Sequence, residues 1–277
     1  MKSEIRDTAR GRMLFLTDER IKIGVALDFG IRVSHLSVPG MDNLFYEQPA
    51  DGSDGFTTSD GWKLYGGHRI WNTPESDTCN CPDNDPVDYV IVGNGCIIRQ
   101  KEEPWRHIEK ELHIDILADG RVRVKNLIRN CSDEVIRTAA WGVNTVVGGR
   151  LDIDFINADI PAANVAKSIA IWGKTNIADE RITFTKDHLT AEYKPITDYF
   201  KIGIYTNSPR AEFVARKQKF VLEFDSKDCG IYPDNNSNFE LFMSRGFMEL
   251  ESLGPVTELK KGECAEHTEY WTVTKEA

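Results

Sequence analysis

The chain has 277 residues, of which 40% are hydrophobic and 28% charged, and a formal net charge of −10. That acidity argues against a nucleic-acid binder, which needs clustered Lys and Arg against phosphates, and leaves a neutral ligand open. All-β sandwiches of this length commonly form one unit, so one domain over residues 1–277 is expected.

Met1 to Leu16 scatters its charges and has no apolar centre, which predicts no secretory signal. No run approaches the roughly 18 apolar residues of a membrane helix, so no membrane partner is expected. Cys79, Cys81, Cys96, Cys131, Cys229 and Cys264 are dispersed, a pattern of reduced thiols in the cytoplasm rather than of a disulfide framework. Cys79-Asn80-Cys81 lacks a second pair at zinc-site spacing, and neither metal nor cofactor is expected.

In chain order, strand signals begin at Ile21–Leu27 and return at Tyr89–Val92. From Ile108 to Ile116, Ile108, Leu112, Ile114 and Ile116 alternate with Glu109, Glu111, His113 and Asp115, the period of a half-buried strand. Asp119-Gly120 then supplies a turn and Val122 and Val124 resume the alternation, so a hairpin is expected. Ala162–Ala170 has the composition of one short helix. Further short runs follow at Ile182–Phe184, Phe200–Tyr205, Phe220–Phe224, Phe239–Phe242, Phe247–Leu250 and Tyr270–Val273. Turns such as Pro39-Gly40, Asn94-Gly95, Asp234-Asn235-Asn236 and Lys261-Gly262 separate them. Many short strands between turns point to a sandwich or barrel. Asp77–Asp88, with two Pro and four Asp, reads as a loop at the mouth of a site; its acids lack the spacing of a calcium loop.

Two segments carry chemistry. Tyr65-Gly66-Gly67-His68-Arg69-Ile70-Trp71-Asn72-Thr73-Pro74-Glu75 joins paired glycines to a dense run of His, Arg, Trp and Glu. A sugar site uses such groups, an aromatic face for ring C–H groups and planar charged groups for hydroxyl pairs; the competing reading is a β-bulge with a structural Arg69 ion pair. In Met248-Glu249-Leu250-Glu251-Ser252, a strand would point Glu249 and Glu251 the same way, about 7 Å apart. Paired carboxylates raise one another's pKa and are candidate bases, unless the face is a solvated edge. Lys201, between aromatic and aliphatic neighbours, needs a partner such as Glu249 or Glu251, or else guards a sheet edge. His267 and Trp271 read as core, and Tyr232-Pro233-Asp234-Asn235 as a loop tip or a sugar-contacting loop. No Gly-x-Ser-x-Gly, His-Glu-x-x-His or P-loop pattern occurs.

Taken in order, Gly30-Ile31-Arg32-Val33, Asp42-Asn43-Leu44-Phe45, Gly-Gly-His-Arg-Ile-Trp at 66–71, Leu250-Glu251-Ser252 and Leu259-Lys260-Lys261-Gly262-Glu263 resemble the galactose mutarotase-like (aldose 1-epimerase) superfamily. The resemblance implies a large two-sheet antiparallel β-sandwich with a small-molecule carbohydrate in a groove across one sheet. It implies mutarotation, in which a Glu takes the anomeric proton while a His protonates the ring oxygen. Arg69 matches the family's substrate arginine and Glu251 its base. The strand Thr138–Thr145 departs from the pattern, because Trp141 stands roughly where the acid histidine belongs and indole does not titrate. The resemblance is to a subgroup lacking that histidine. His68 is then the candidate acid, with Trp71, Glu75, Trp141, Asn144, Lys201 and Glu249 as substrate-binding residues beside Arg69. The alternatives are a non-catalytic sugar-binding module and a polysaccharide lyase- or hydrolase-like enzyme on the same sandwich.

Overall fold

A computed structural model describes residues 1–49, 63–75, 84–154, 168–196, 198–227 and 230–276. The first strands are β1 (Lys2–Thr8), β2 (Gly11–Thr17), β3 (Lys22–Ala26), β4 (Arg32–Ser37) and β5 (Gly67–Asn72). Next come β6 (Asp88–Val92), β7 (Gly95–Arg99), β8 (Ile108–Ile116), β9 (Val122–Asn130), β10 (Ile136–Thr138) and β11 (Ala140–Val147). The middle of the chain supplies β12 (Arg150–Asp154), β13 (Ile169–Ile171), β14 (Ile182–Phe184), β15 (His188–Glu192) and β16 (Phe200–Ile204). The last strands are β17 (Arg210–Ala215), β18 (Gln218–Phe224), β19 (Phe239–Ser244), β20 (Phe247–Leu253), β21 (Thr257–Leu259) and β22 (Cys264–Lys275).

They form two ten-stranded antiparallel sheets and one small two-stranded sheet. The first runs β1-β2-β3-β4-β5-β11-β20-β19-β16-β13, the second β14-β15-β12-β17-β18-β22-β9-β8-β7-β6. The expected all-β sandwich is thus present. Alternation builds it: β8 buries every second residue, and β9 pairs with it from Ile108↔Asn130 to Ile116↔Val122 across the Asp119-Gly120 turn. One apolar core, reaching from Leu14 to Val273 in sequence, fills the space between the sheets. Trp271 lies at its centre, edge-on to Phe45 and Phe220 at centroid distances of 5.7 and 5.9 Å.

Two sequence expectations are corrected. The Ala162–Ala170 helix fails where it can be seen, since Ile169 and Ala170 belong to β13; residues 162–167 lie outside the described residues. The solvated-edge readings of Lys201 and of the Glu249/Glu251 strand also fail: β16 has β13 and β19 on either side, and β20 lies between β11 and β19. Of the acidic loop, residues 77–83 lie outside the described residues, as do Cys79, Cys81 and Cys229; Asp88 opens β6. Tyr232 is buried, and its hydroxyl accepts from Lys227 N, so that corner is anchored within the fold.

The sheets approach one another closely at Gly142 on β11, where an added Cβ would run into the Glu269 carboxylate and the His68 ring. Gly142→Ala should therefore lower stability by about 1–3 kcal/mol through overpacking, measured as a shifted urea midpoint at unchanged m-value.

Candidate functional site

The site lies on the outer face of the first sheet and is assembled by register. One row across the strands runs Trp71–Trp141–Leu253. A second runs Arg69–Val143–Glu251–Glu240–Gly203. A third runs Gly67–Thr145–Glu249–Phe242–Lys201. Because side chains alternate along a strand, these rows share one face. Arg69, Trp71, Glu75, Trp141, Lys201, Glu249 and Glu251 thus line one cavity of about 250 Å³, with Trp172, Phe242, Phe247 and Leu64. Seven of the nine sequence-derived site residues meet there.

The approach to β5 is fixed from below. Arg32, fully buried, donates from Nη1 to Leu64 O at 2.7 Å and Gly66 O at 3.0 Å. Gly66 and Gly67 adopt φ of 85° and 84°, and a Cβ at either would strike the backbone carbonyl of Tyr46 or Val33. The paired glycines are therefore the condition for bringing Arg69 and Trp71 up to the wall.

Cations and aromatic rings interleave along that wall. The Arg69 guanidinium sits 4.0 Å from the Trp71 ring, Trp71 stacks on Trp141 at 5.8 Å, and Lys201 Nζ lies 4.8 Å from Trp141 and 4.9 Å from Trp172. Lys201 Nζ also pairs with Glu240 at 2.9 Å and Glu251 at 3.2 Å. Burial alone would depress the lysine, but the charges of Glu251 and Glu240 outweigh it and raise its pKa. Burial pushes the Glu251 carboxyl up to about 7, with Lys201 working against the rise and Glu249 adding to it. Glu249 is raised chiefly by burial, opposed first by Arg69, and accepts from the Thr145 hydroxyl at 2.9 Å. Burial raises Glu240 well above the ordinary carboxylate range.

Several polar atoms of this wall have no hydrogen-bond partner among the described residues: the indole N–H groups of Trp71 and Trp141, and Glu251 Oε1. Buried polar groups are nearly always paired, so these unpaired atoms single out this wall as a candidate site.

His68 and Asn144 are not in the cavity, which corrects the reading of both as site residues. His68 adjoins Arg69 in the same strand and therefore points to the opposite face, into the space between the sheets. There its Nδ1 meets Asn144 Oδ1 at 3.0 Å and its Nε2 meets Asn126 Oδ1 at 2.9 Å. Asn144 Nδ2 donates to Leu250 O at 3.1 Å and to Glu269 Oε1 at 3.1 Å. Glu269 is fully buried on β22 and also accepts from Ser252 Oγ at 2.5 Å and Trp271 Nε1 at 2.7 Å. His267 belongs to the same layer, 2.6 Å from Ser252 Oγ, its pKa lowered to about 4 by burial. Sequence reasoning missed Glu269, and it missed Trp172, Phe242 and Phe247, whose apolar character reads as core.

Among the described residues no three His, Cys, Asp or Glu side chains gather to hold a metal ion, and no helix is long and apolar enough to cross a membrane.

No family model and no curated protein matches the chain. Solved structures do. A putative aldose 1-epimerase from Escherichia coli K12 superposes with a TM-score of 0.60 at 11% identity, covering 99% of this chain and all (100%) of that one. A galactose mutarotase-like protein from Lactobacillus casei gives 0.57 at 10% identity, covering 95% and 100% of the two chains. A TPR-domain containing protein from Parabacteroides distasonis gives 0.64 at 15% identity; it covers 96% of this chain, which spans only 47% of that protein. The fold is that of the galactose mutarotase-like proteins.

Lys201→Met would leave Glu240 and Glu251 buried without their cation, and the expected loss of stability is about 3–5 kcal/mol. Glu251 holds its proton more tightly when folded than its ordinary value of 4.5 allows, so its contribution to stability is full below about 4.5 and is lost as pH rises through about 7. The deficit of Lys201→Met should accordingly be larger at about pH 8 than at about pH 5 in urea unfolding. An equal deficit at both would contradict the ion cluster.

Proposed function

We propose that the protein binds the ring of a carbohydrate on this face and interconverts its anomers, with Glu251 as the base. The observation that carries the reading is the buried Glu251 Oε1, without a hydrogen-bond partner among the described residues, on a residue that lines one cavity with Trp71 and Trp141, whose indole N–H groups are unpaired as well. An unpaired acceptor and unpaired donors among flat aromatic rings complement a ring bearing hydroxyls on its edges and C–H groups on its faces. The neighbouring fold supports the choice of reaction, since the Escherichia coli structure is titled a putative aldose 1-epimerase.

In this reaction Glu251 takes the proton of the anomeric hydroxyl. The C1–O bond to the ring oxygen breaks as C1 becomes a carbonyl, and the ring oxygen receives a proton. After rotation about C1–C2 the steps reverse on the other face. A base with a pKa of about 7 is suited to neutral pH, where it is partly ionised yet strong enough to abstract. The proton for the ring oxygen comes from Glu249, one strand repeat away and raised by burial. Trp141 donates a hydrogen bond and a stacking surface but no proton. Arg69, held over Trp71, orients a hydroxyl pair or an acidic substituent.

A non-catalytic sugar-binding role is the second reading, favoured by one observation: Lys201 already engages Glu251 Oε2 at 3.2 Å and restrains it. Polarimetry of freshly dissolved α-anomers separates the two, using a panel of neutral and acidic aldoses. Catalysis predicts acceleration that rises with pH through about 7 and falls about 10²–10⁴-fold in Glu251→Gln with modest change in binding. Binding without acceleration across the panel would leave the second reading standing. Absence of binding to every sugar would remove both.

A further inference from the structure

Beside the cavity just described lies a second, larger one of about 450 Å³, lined by Trp172, Lys174, Thr175, Tyr199, Lys201 and Phe242. Trp172, Lys201 and Phe242 line both, so the two are adjoining chambers of one groove. The second chamber differs in chemistry. Among the described residues no carboxylate lines it, and rings form much of its surface: Tyr199 stacks on Phe242 at 5.8 Å with an interplanar angle of 26°, and Tyr199 is 45% exposed. Lys174 Nζ stands 5.9 Å from the Tyr199 ring.

This platform is built rather than incidental. The turn that carries Trp172 is bound to β16 at two points, since Thr175 Oγ1 donates to Lys201 O at 2.7 Å and Lys201 N donates to Thr175 Oγ1 at 2.9 Å. Thr175 N closes the turn onto Trp172 O at 2.9 Å. The same strand, β16, therefore fixes the lysine of the first chamber and the aromatic surface of the second.

We infer that the second chamber is a subsite for a neighbouring sugar residue, so that the ligand is a disaccharide or longer oligosaccharide whose reducing-end ring lies over Glu251. The inference rests on the proposed carbohydrate function and specifies its substrate class. A free monosaccharide would leave the Tyr199–Phe242 surface bare. A glycosidically linked ring would cover it through its C–H face and needs few hydrogen bonds there, which matches a chamber rich in rings and poor in free polar groups. Among the described residues no carboxylate lines this chamber, which fits a ring that is held and not transformed.

The test compares affinities, by isothermal titration, of glucose, galactose and glucuronic acid with those of maltose, cellobiose and lactose. At least one disaccharide should bind about tenfold more tightly than the best monosaccharide. Tyr199→Ala should abolish that advantage and leave monosaccharide affinity unchanged, while Tyr199→Phe should retain it; circular dichroism confirms that both variants are folded. Monosaccharide binding with no disaccharide advantage, or an advantage that survives Tyr199→Ala, overturns the subsite and leaves the function proposed above intact. Silence from every sugar overturns both. A change only in sedimentation of Tyr199→Ala, with sugar affinities unmoved, assigns the surface to a protein contact and overturns the subsite as well.

Discussion

Glu269 is a carboxylate placed between two β-sheets with no access to water, and the geometry of the site depends on how it is satisfied. Three groups donate to it, Asn144, Ser252 and Trp271, and the first two belong to β11 and β20 of the opposite sheet. An isolated buried charge would be very costly, so the strands must hold these donors in place for the fold to form. Asn144 also grips Leu250 O, the backbone between Glu249 and Glu251. The interior polar layer thus sets the spacing of two strands whose other face carries the candidate base.

The outer face has the converse problem. Its carboxylates are crowded, and what keeps them tolerable is Lys201, enclosed by Trp141, Trp172, Glu240 and Glu251. Such a cluster contributes little net stability, because desolvating the charges offsets their attraction. Its effect is on chemistry. Lys201 opposes the rise that burial imposes on Glu251, and it engages one carboxylate oxygen while the other has no hydrogen-bond partner among the described residues.

Much of this was legible in the sequence. Alternation at Ile108–Ile116 and the recurring turns pointed to a sandwich or barrel, since period two marks half-buried strands, and the family resemblance implied the two-sheet sandwich. The clustering of charged and aromatic residues at 65–75 and the Glu249/Glu251 pair pointed to residues that line one cavity, and strand geometry justified placing both glutamates together. The same geometry, applied to 68 and 69, separates His68 from Arg69; nearness in sequence misled there, since adjacent strand residues face opposite ways. Asn144 fails for the same reason, one residue from Val143, which shares the row of Arg69 and Glu251. Trp172, Phe242 and Glu269 were out of reach, since only the pairing of distant strands distinguishes a cavity wall or an interior carboxylate from core or surface.

The order of strands in the first sheet has a consequence for how the molecule comes into being. Arg69 and Glu251 meet only because β11 lies between β5 and β20, and Lys201 joins them only through β19. None of these pairings is a local hairpin except β19 with β20. Contacts between such distant parts of a chain close late, because the entropy of long loops must be overcome before the contacts reward it. During synthesis, the arginine and both tryptophans of the Trp71–Trp141 stack leave the ribosome long before the carboxylates that they will face. Until then the nascent chain has an aromatic, cationic half-site with nothing to close it, and no shorter piece of the sheet could assemble the full constellation.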